Sequence, residues 1–187
     1  MLLDELRKIG RALSVFAFAA MMLSAAGRRH VIGKIPVPGD GGWDYLSADS
    51  QGRRLYVSHD TEVVVIDLDT HKIVGNVPGG KVHGVAVAPE VGKGFVSCSD
   101  PGSVVIFDLK TLSVTGKVRV GDDPNAIFYD PSTKRVYTID RGSKSVSAID
   151  PKTGQVTGSV EGLGGRTEHA VADEAGQIYL NMQSLGT

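Results

Sequence analysis

The sequence predicts an all-β fold: a β-propeller built of four-stranded antiparallel blades. Three observations carry that reading. The stretch V-V-V-I-D-L-D-T at 63–70 returns as V-V-I-F-D-L-K-T at 104–111 and as V-S-A-I-D-P-K-T at 146–153. Its aspartates, Asp67, Asp108 and Asp150, therefore stand 41 and 42 residues apart. A glycine recurs inside the strand that follows each aspartate turn, at Gly75, Gly116 and Gly158, and in the matching stretch at Gly33, with spacings of 42, 41 and 42. An aromatic residue recurs at Tyr56, Phe95, Tyr137 and Tyr179, spaced 39, 42 and 42. A supersecondary unit repeating about every 40–45 residues is the period of a propeller blade.

The first 26 residues are of a different class. Arg7, Lys8 and Arg11 precede an uncharged run over 12–26, and Ser24 and Ala26 stand at −3 and −1 of a cut before Gly27. This is the pattern of a secretory signal peptide over 1–26. The apolar run is shorter than the roughly 20 residues that span a bilayer, so cleavage leaves no membrane anchor. The expected product is periplasmic or secreted. Its single cysteine, Cys98, allows no internal disulfide and no lipid-modified cysteine after the leader.

Residues 27–187 are expected to form a partial propeller. The stretch 31–37 repeats the glycine-bearing fourth strand and is expected to be a closing strand. Repeats then follow at about 44–80, 83–121, 125–162 and 168–187. Each opens on an inner strand of small residues, at 45–48, 84–87, 126–129 and 170–172, and continues through a turn into the aromatic-bearing strand. One aromatic at one place per blade predicts packing between blades. The glycines predict bulges, and the aspartates predict turns in which the carboxylate accepts N–H groups two residues on. The chain thus offers a closing strand, three full blades and half of a fourth. A fourth aspartate would fall at about residue 192 on the same period, past Thr187. An unpaired edge at 178–180 is expected to drive self-association.

The net charge of −1, with 22% charged and 41% hydrophobic residues, fits a globular chain with a core. It supplies no basic stripe for nucleic acid. Arg53–Arg54 and Lys134–Arg135 read as turn charges without aromatic platforms. Ser58-His59-Asp60 holds three catalytic residue types, but strand neighbours point to opposite faces and cannot form a relay with one another.

Four phrases carry a family resemblance: G-G-W-D-Y-L-S-A-D at 41–49, R-R-L-Y-V-S at 53–58, the V-x-V-I-D strand, and P-N-A-I-F-Y-D-P at 124–131. Over about 31–180 the chain resembles the YncE/YVTN-type bacterial β-propeller repeat proteins. The resemblance implies an exported, seven-bladed ring of about twice this length, with no assigned reaction. Related propellers include lactonase-like enzymes and the domains that accompany haem d1 and quinoproteins.

Superposing the repeats brings one position forward, at the start of each inner strand: Asp44, His83, Asn125 and Glu168, spaced 39, 42 and 43. Successive blades present this position at the mouth of the central channel, where concave sites form. An Asp/His/Glu set suits a polar small molecule or a divalent cation, and the pattern specifies neither a metal nor a cofactor. Trp43 is expected to wall this site, and Arg166 to meet a carboxylate or phosphate. The expected function is binding of a small molecule or an exported protein partner at the mouth, without catalysis. The alternatives are a lactonase-like hydrolase using a metal or acid–base pair from Asp44, His83 and Glu168, or a partner domain of an exported redox enzyme.

Overall fold

The structure, a computed structural model, describes residues 30–173 and 175–185. The leader expected over 1–26 lies outside the described residues. Two units divide the chain, Met1–Pro36 and Val37–Thr187.

In the first unit the described residues carry no strand, and Val31 and Ile32 are 80% and 86% exposed. This corrects the closing strand expected over 31–37. The stretch has the apolar alternation of a fourth strand, but a strand persists only through ladder bonds to a neighbour. Residues 30–39 make no such ladder.

The second unit is built of antiparallel sheets. The first holds β1 (Trp43–Asp49), β2 (Arg54–His59), β3 (Glu62–Asp67) and β4 (Lys72–Pro78). The second holds β5 (Val82–Ala88), β6 (Lys93–Cys98), β7 (Ser103–Asp108) and β8 (Val114–Arg119). The third holds β9 (Pro124–Asp130), β10 (Arg135–Asp140), β11 (Ser145–Asp150) and β12 (Gln155–Val160). Among the described residues the fourth has two strands, β13 (Thr167–Ala172) and β14 (Ile178–Met182). Each sheet is a meander in chain order, and the first strands β1, β5, β9 and β13 are neighbours from blade to blade. This is an incomplete β-propeller with β1, β5, β9 and β13 innermost. Among the described residues no helix is long and apolar enough to cross a membrane.

The core lies between blades. Tyr56 of the first blade is fully buried with Val63, Val65 and Val77, against Val85, Val96, Val105 and Phe107 of the second. Its ring meets Phe107 at 5.9 Å and 57°, a tilted aromatic pair. Phe95 repeats the arrangement one blade on, among Ile127, Val136 and Ile149. Tyr179 of the fourth blade is 57% exposed, because no further blade packs against it among the described residues.

The recurrent polar residues of the sequence hold the turns. The Asp67 carboxylate accepts the N–H of Asp69 at 3.1 Å and of Thr70 at 2.7 Å, and the Thr70 hydroxyl at 2.8 Å. Asp108 does the same with Lys110 and Thr111, and Asp150 with the backbone of Lys152 and Thr153. The backbone N–H groups of Thr70 and Thr111 are the largest cause holding Asp67 and Asp108 below the ordinary carboxylate range. The recurrent glycines sit at bulges: the register slips beside Gly75, Gly116 and Gly158 in the outermost strand of each complete blade. Arg53 pairs with Asp69, and Arg54 donates to the Leu109 carbonyl of the next blade. Lys93 makes the equivalent step to the Lys152 carbonyl at 2.7 Å. Arg54 and Lys93 are thus cross-blade ties at the rim opposite the channel mouth, whereas the Arg53–Asp69 pair lies within one blade.

Candidate functional site

A second set of bulges builds the mouth. In β1 the register runs Trp43↔His59 and then Leu46↔Val57, so Asp44 and Tyr45 together oppose Ser58. His83 and Gly84 likewise oppose Ser97, Asn125 and Ala126 oppose Ile139, and Glu168 and His169 oppose Asn181. A bulge bends its strand and re-aims a side chain. Here the same bulge recurs in all four inner strands, on the four residues the repeat alignment singles out. In two of the blades the N–H it frees is taken by a side chain from across the pair: Gly84 N–H donates to Ser97 Oγ at 2.9 Å, and His169 N–H to Asn181 Oδ1 at 2.7 Å.

The four re-aimed side chains pair between neighbouring blades. His83 Nδ1 lies 2.6 Å from Asp44 Oδ2, and Asn125 Nδ2 donates to Glu168 Oε1 at 2.9 Å. His83 and Asn125 are buried, whereas the Asp44 side chain is 37% exposed.

A second position of each blade, the first after the aromatic-bearing strand, holds Asp60, Ser99, Arg141 and Gln183, and of these Ser99 and Arg141 join the network. One backbone bond recurs to hold it. The N–H groups of Asp60, Ser99, Arg141 and Gln183 donate to the carbonyls of Gly42, Lys81, Asp123 and Arg166, at 2.9 to 3.0 Å. Ser99 Oγ thereby sits 2.9 Å from His83 Nε2. Arg141 Nε donates to Asp123 Oδ2 at 2.7 Å, and its Nη1 lies 3.9 Å from Glu168 Oε2. The Asp123 bond and charge raise the Arg141 guanidinium, and the Arg141 bond in turn holds Asp123 below the usual carboxylate range. Glu168 Oε2 is buried and makes no hydrogen bond among the described residues.

Tyr45 ties the two halves together. Burial pushes its hydroxyl up, the Glu168 and Asp44 charges add to that, and Arg141 and an Asn125 hydrogen bond oppose it. Its ring stacks on His169 of the fourth blade at 6.0 Å. Asp44, His83, Asn125 and Glu168 are thus one network with Tyr45, Ser99, Asp123 and Arg141.

Trp43 and Arg166 lie differently. The Trp43 ring stacks on His59 at 4.0 Å and 14°, so its packing partner is its cross-strand neighbour. Arg166 is exposed, and its backbone N–H donates to Ser184 Oγ at 2.7 Å. Among the described residues no three His, Cys, Asp or Glu side chains are grouped to hold a metal ion: Asp44 and His83 bond to each other, and Glu168 bonds to Asn125. Concavity alone does not mark the mouth. A cleft of about 340 Å3 on the opposite rim is lined by Asp49, Arg54 and Asp108, and an apolar groove of about 490 Å3 by Tyr137, Val146, Val160 and Leu180. The mouth is distinguished by convergent polar groups from four blades.

Ser99, Asp123, Arg141 and Tyr45 escape the repeat alignment because their equivalents differ in chemistry from blade to blade.

Comparison with known proteins bears on this fold. No family model matches the chain. It is 24% identical over 149 residues to the uncharacterized protein YncE of Salmonella typhi, and 23% identical over the same length to that of Salmonella typhimurium. The chain carries weak homology to the YncE proteins. Each match takes in 76% of this chain and 42% of the relative, so the chain spans less than half the length of the relatives it matches. A chain of Kuenenia stuttgartiensis hydrazine synthase superposes with a TM-score of 0.73 at 19% identity, over 85% of this chain and 47% of that one. That likeness concerns the propeller fold. The YncE matches agree with the resemblance carried by the sequence phrases, and the superposition agrees with the propeller fold.

Proposed function

We propose that this chain is an exported propeller scaffold that binds a small molecule at the channel mouth, and that the ligand presents hydrogen-bond donors. One observation carries the reading. The mouth network leaves acceptors open: Glu168 Oε2 is buried without a hydrogen bond, and Asp44 is bonded to His83 yet more than a third exposed. A buried polar atom without a partner is uncommon in folded proteins, and a binding site is one reason for it. A hydroxyl or amine reaching these oxygens would complete the network, with Arg141 taking an acceptor of the same molecule. Binding there, rather than a protein partner, is favoured by the narrow grouping of these atoms around Tyr45. Export rests on the leader pattern over 1–26.

The test is a calorimetric titration of polyols, sugars and small amines into the protein, repeated with Glu168→Gln and Asp44→Asn. The reading expects a donor-bearing compound whose affinity falls at least about tenfold in each variant, the loss of one charge-assisted bond. Binding that is the same in both variants would refute it.

A further inference from the structure

We infer that Ser99 is an activated nucleophile, and that the mouth can carry out acyl transfer on ester or lactone substrates. This rests on the mouth being the ligand site.

The Asp44 carboxylate only accepts, so His83 Nδ1, 2.6 Å away, carries the hydrogen. The neutral ring then has its lone pair on Nε2, and Ser99 Oγ–H, 2.9 Å away, donates to it. The result is a carboxylate–imidazole–hydroxyl relay of the kind that generates a serine nucleophile. Its members come from three segments, 39 and 16 residues apart, brought together by the bulge of β5 and the turn after β6.

Placement supports the role. His83 is buried, while Ser99 is partly open at the mouth. The Ser99 backbone is fixed at both ends: its N–H donates to Lys81 at 3.0 Å, and its carbonyl accepts from Gly102 at 2.9 Å. Only rotation of one side-chain bond remains, and the His83 bond sets it. A serine merely filling space would not need its hydroxyl directed at the one ring nitrogen that the carboxylate leaves basic. The equivalent positions Asp60, Arg141 and Gln183 carry no hydroxyl.

The chemistry balances within these groups and water. Ser99 Oγ bonds to the acyl carbon as its proton passes to His83 Nε2. The tetrahedral adduct collapses with cleavage of the acyl–oxygen bond, and the departing alkoxide takes that proton to leave as an alcohol, or as the free hydroxyl end of an opened lactone. Water then attacks the acyl–Ser99 ester, gives a proton to His83, and releases the acid as Ser99 Oγ recovers the proton. Arg141, held by Asp123 in the same cluster, is the cation available to the anionic adduct.

The experiment uses a fluorophosphonate probe on the full chain, read by intact mass and peptide mapping, with p-nitrophenyl butyrate hydrolysis alongside. The expected result is one adduct per chain on Ser99, absent in Ser99→Ala and retained in Ser113→Ala. Labelling and hydrolysis should each slow at least about 100-fold in His83→Gln and in Asp44→Asn. If His83→Gln fails to fold, the partly exposed Asp44→Asn carries the comparison. No adduct on Ser99, or a labelling rate unchanged by both variants, overturns the relay. Ser99→Ala also separates the two claims: ligand binding through Glu168 that persists in it leaves the binding site standing when labelling fails.

Discussion

Ser97 and Ser58 occupy the same place in successive blades, each opposite a mouth bulge, and the structure predicts opposite consequences for deleting their hydroxyls. Ser97 Oγ is fully buried, accepts the Gly84 N–H at 2.9 Å and donates to the Asn125 carbonyl of the next blade at 2.6 Å. The Gly84 carbonyl, at 3.4 Å, is the weaker of its two acceptors. Ser97→Ala orphans a buried N–H and a buried C=O at about 1–3 kcal/mol each, so a loss of about 3 kcal/mol is expected. Ser58 Oγ is buried with no hydrogen-bond partner among the described residues. Ser58→Ala removes an unsatisfied hydroxyl, and the stability should stay within about 1 kcal/mol or rise. Urea unfolding followed by far-UV circular dichroism, with both variants compared at equal slope, measures the difference. Equal losses for the two, or a Ser97→Ala loss under about 1 kcal/mol, would refute the assignment of the bulge bond.

Other expectations follow from single groups. Asp140 is buried, with Oδ2 accepting from Ser147 at 2.6 Å and Oδ1 unpaired, and burial pushes its carboxyl up. Burial favours the neutral form, so its stabilising contribution is full below the ordinary value of 3.8 and is lost as pH rises through the raised folded value. Asp140→Asn should flatten the fall in stability between 3.8 and the raised folded value, and unfolding curves at a series of pH values check it. Burial pushes the Cys98 thiol up to about 11, so at pH 8 it should react with a disulfide reagent only as fast as the blades open. Rapid stoichiometric reaction of the native protein would contradict that burial. β14 pairs only with β13 among the described residues, so the 187-residue polypeptide should elute on size exclusion as larger than 19.7 kDa. A compact, stable monomer would argue against edge-driven association.

The blades were legible because their signals are periodic. Asp67, Asp108 and Asp150 mark turns, Gly75, Gly116 and Gly158 mark bulges, and Tyr56 and Phe95 mark the joints between blades. Periodicity also aligned Asp44, His83, Asn125 and Glu168, though not the reason they converge. That reason is a two-for-one bulge at each of them, and a bulge leaves little trace in an apolar pattern. Ser99 and Arg141 were hidden because their slot is defined by one backbone bond to the residue before the inner strand, and it tolerates any side chain. The misread stretch 31–37 shows the converse. Its residues match a strand, but strand formation depends on a partner edge that local pattern does not encode.

We propose that the four bulges aim a polar network at a small-molecule site. A crystallographic soak with fragments bearing hydroxyl or amine groups tests it most directly. A fragment is expected at the mouth, with a donor about 3 Å from Glu168 Oε2 and a second contact to Asp44 or Arg141. A mouth left empty, while fragments collect in the apolar groove of Tyr137, Val146 and Val160, would contradict it.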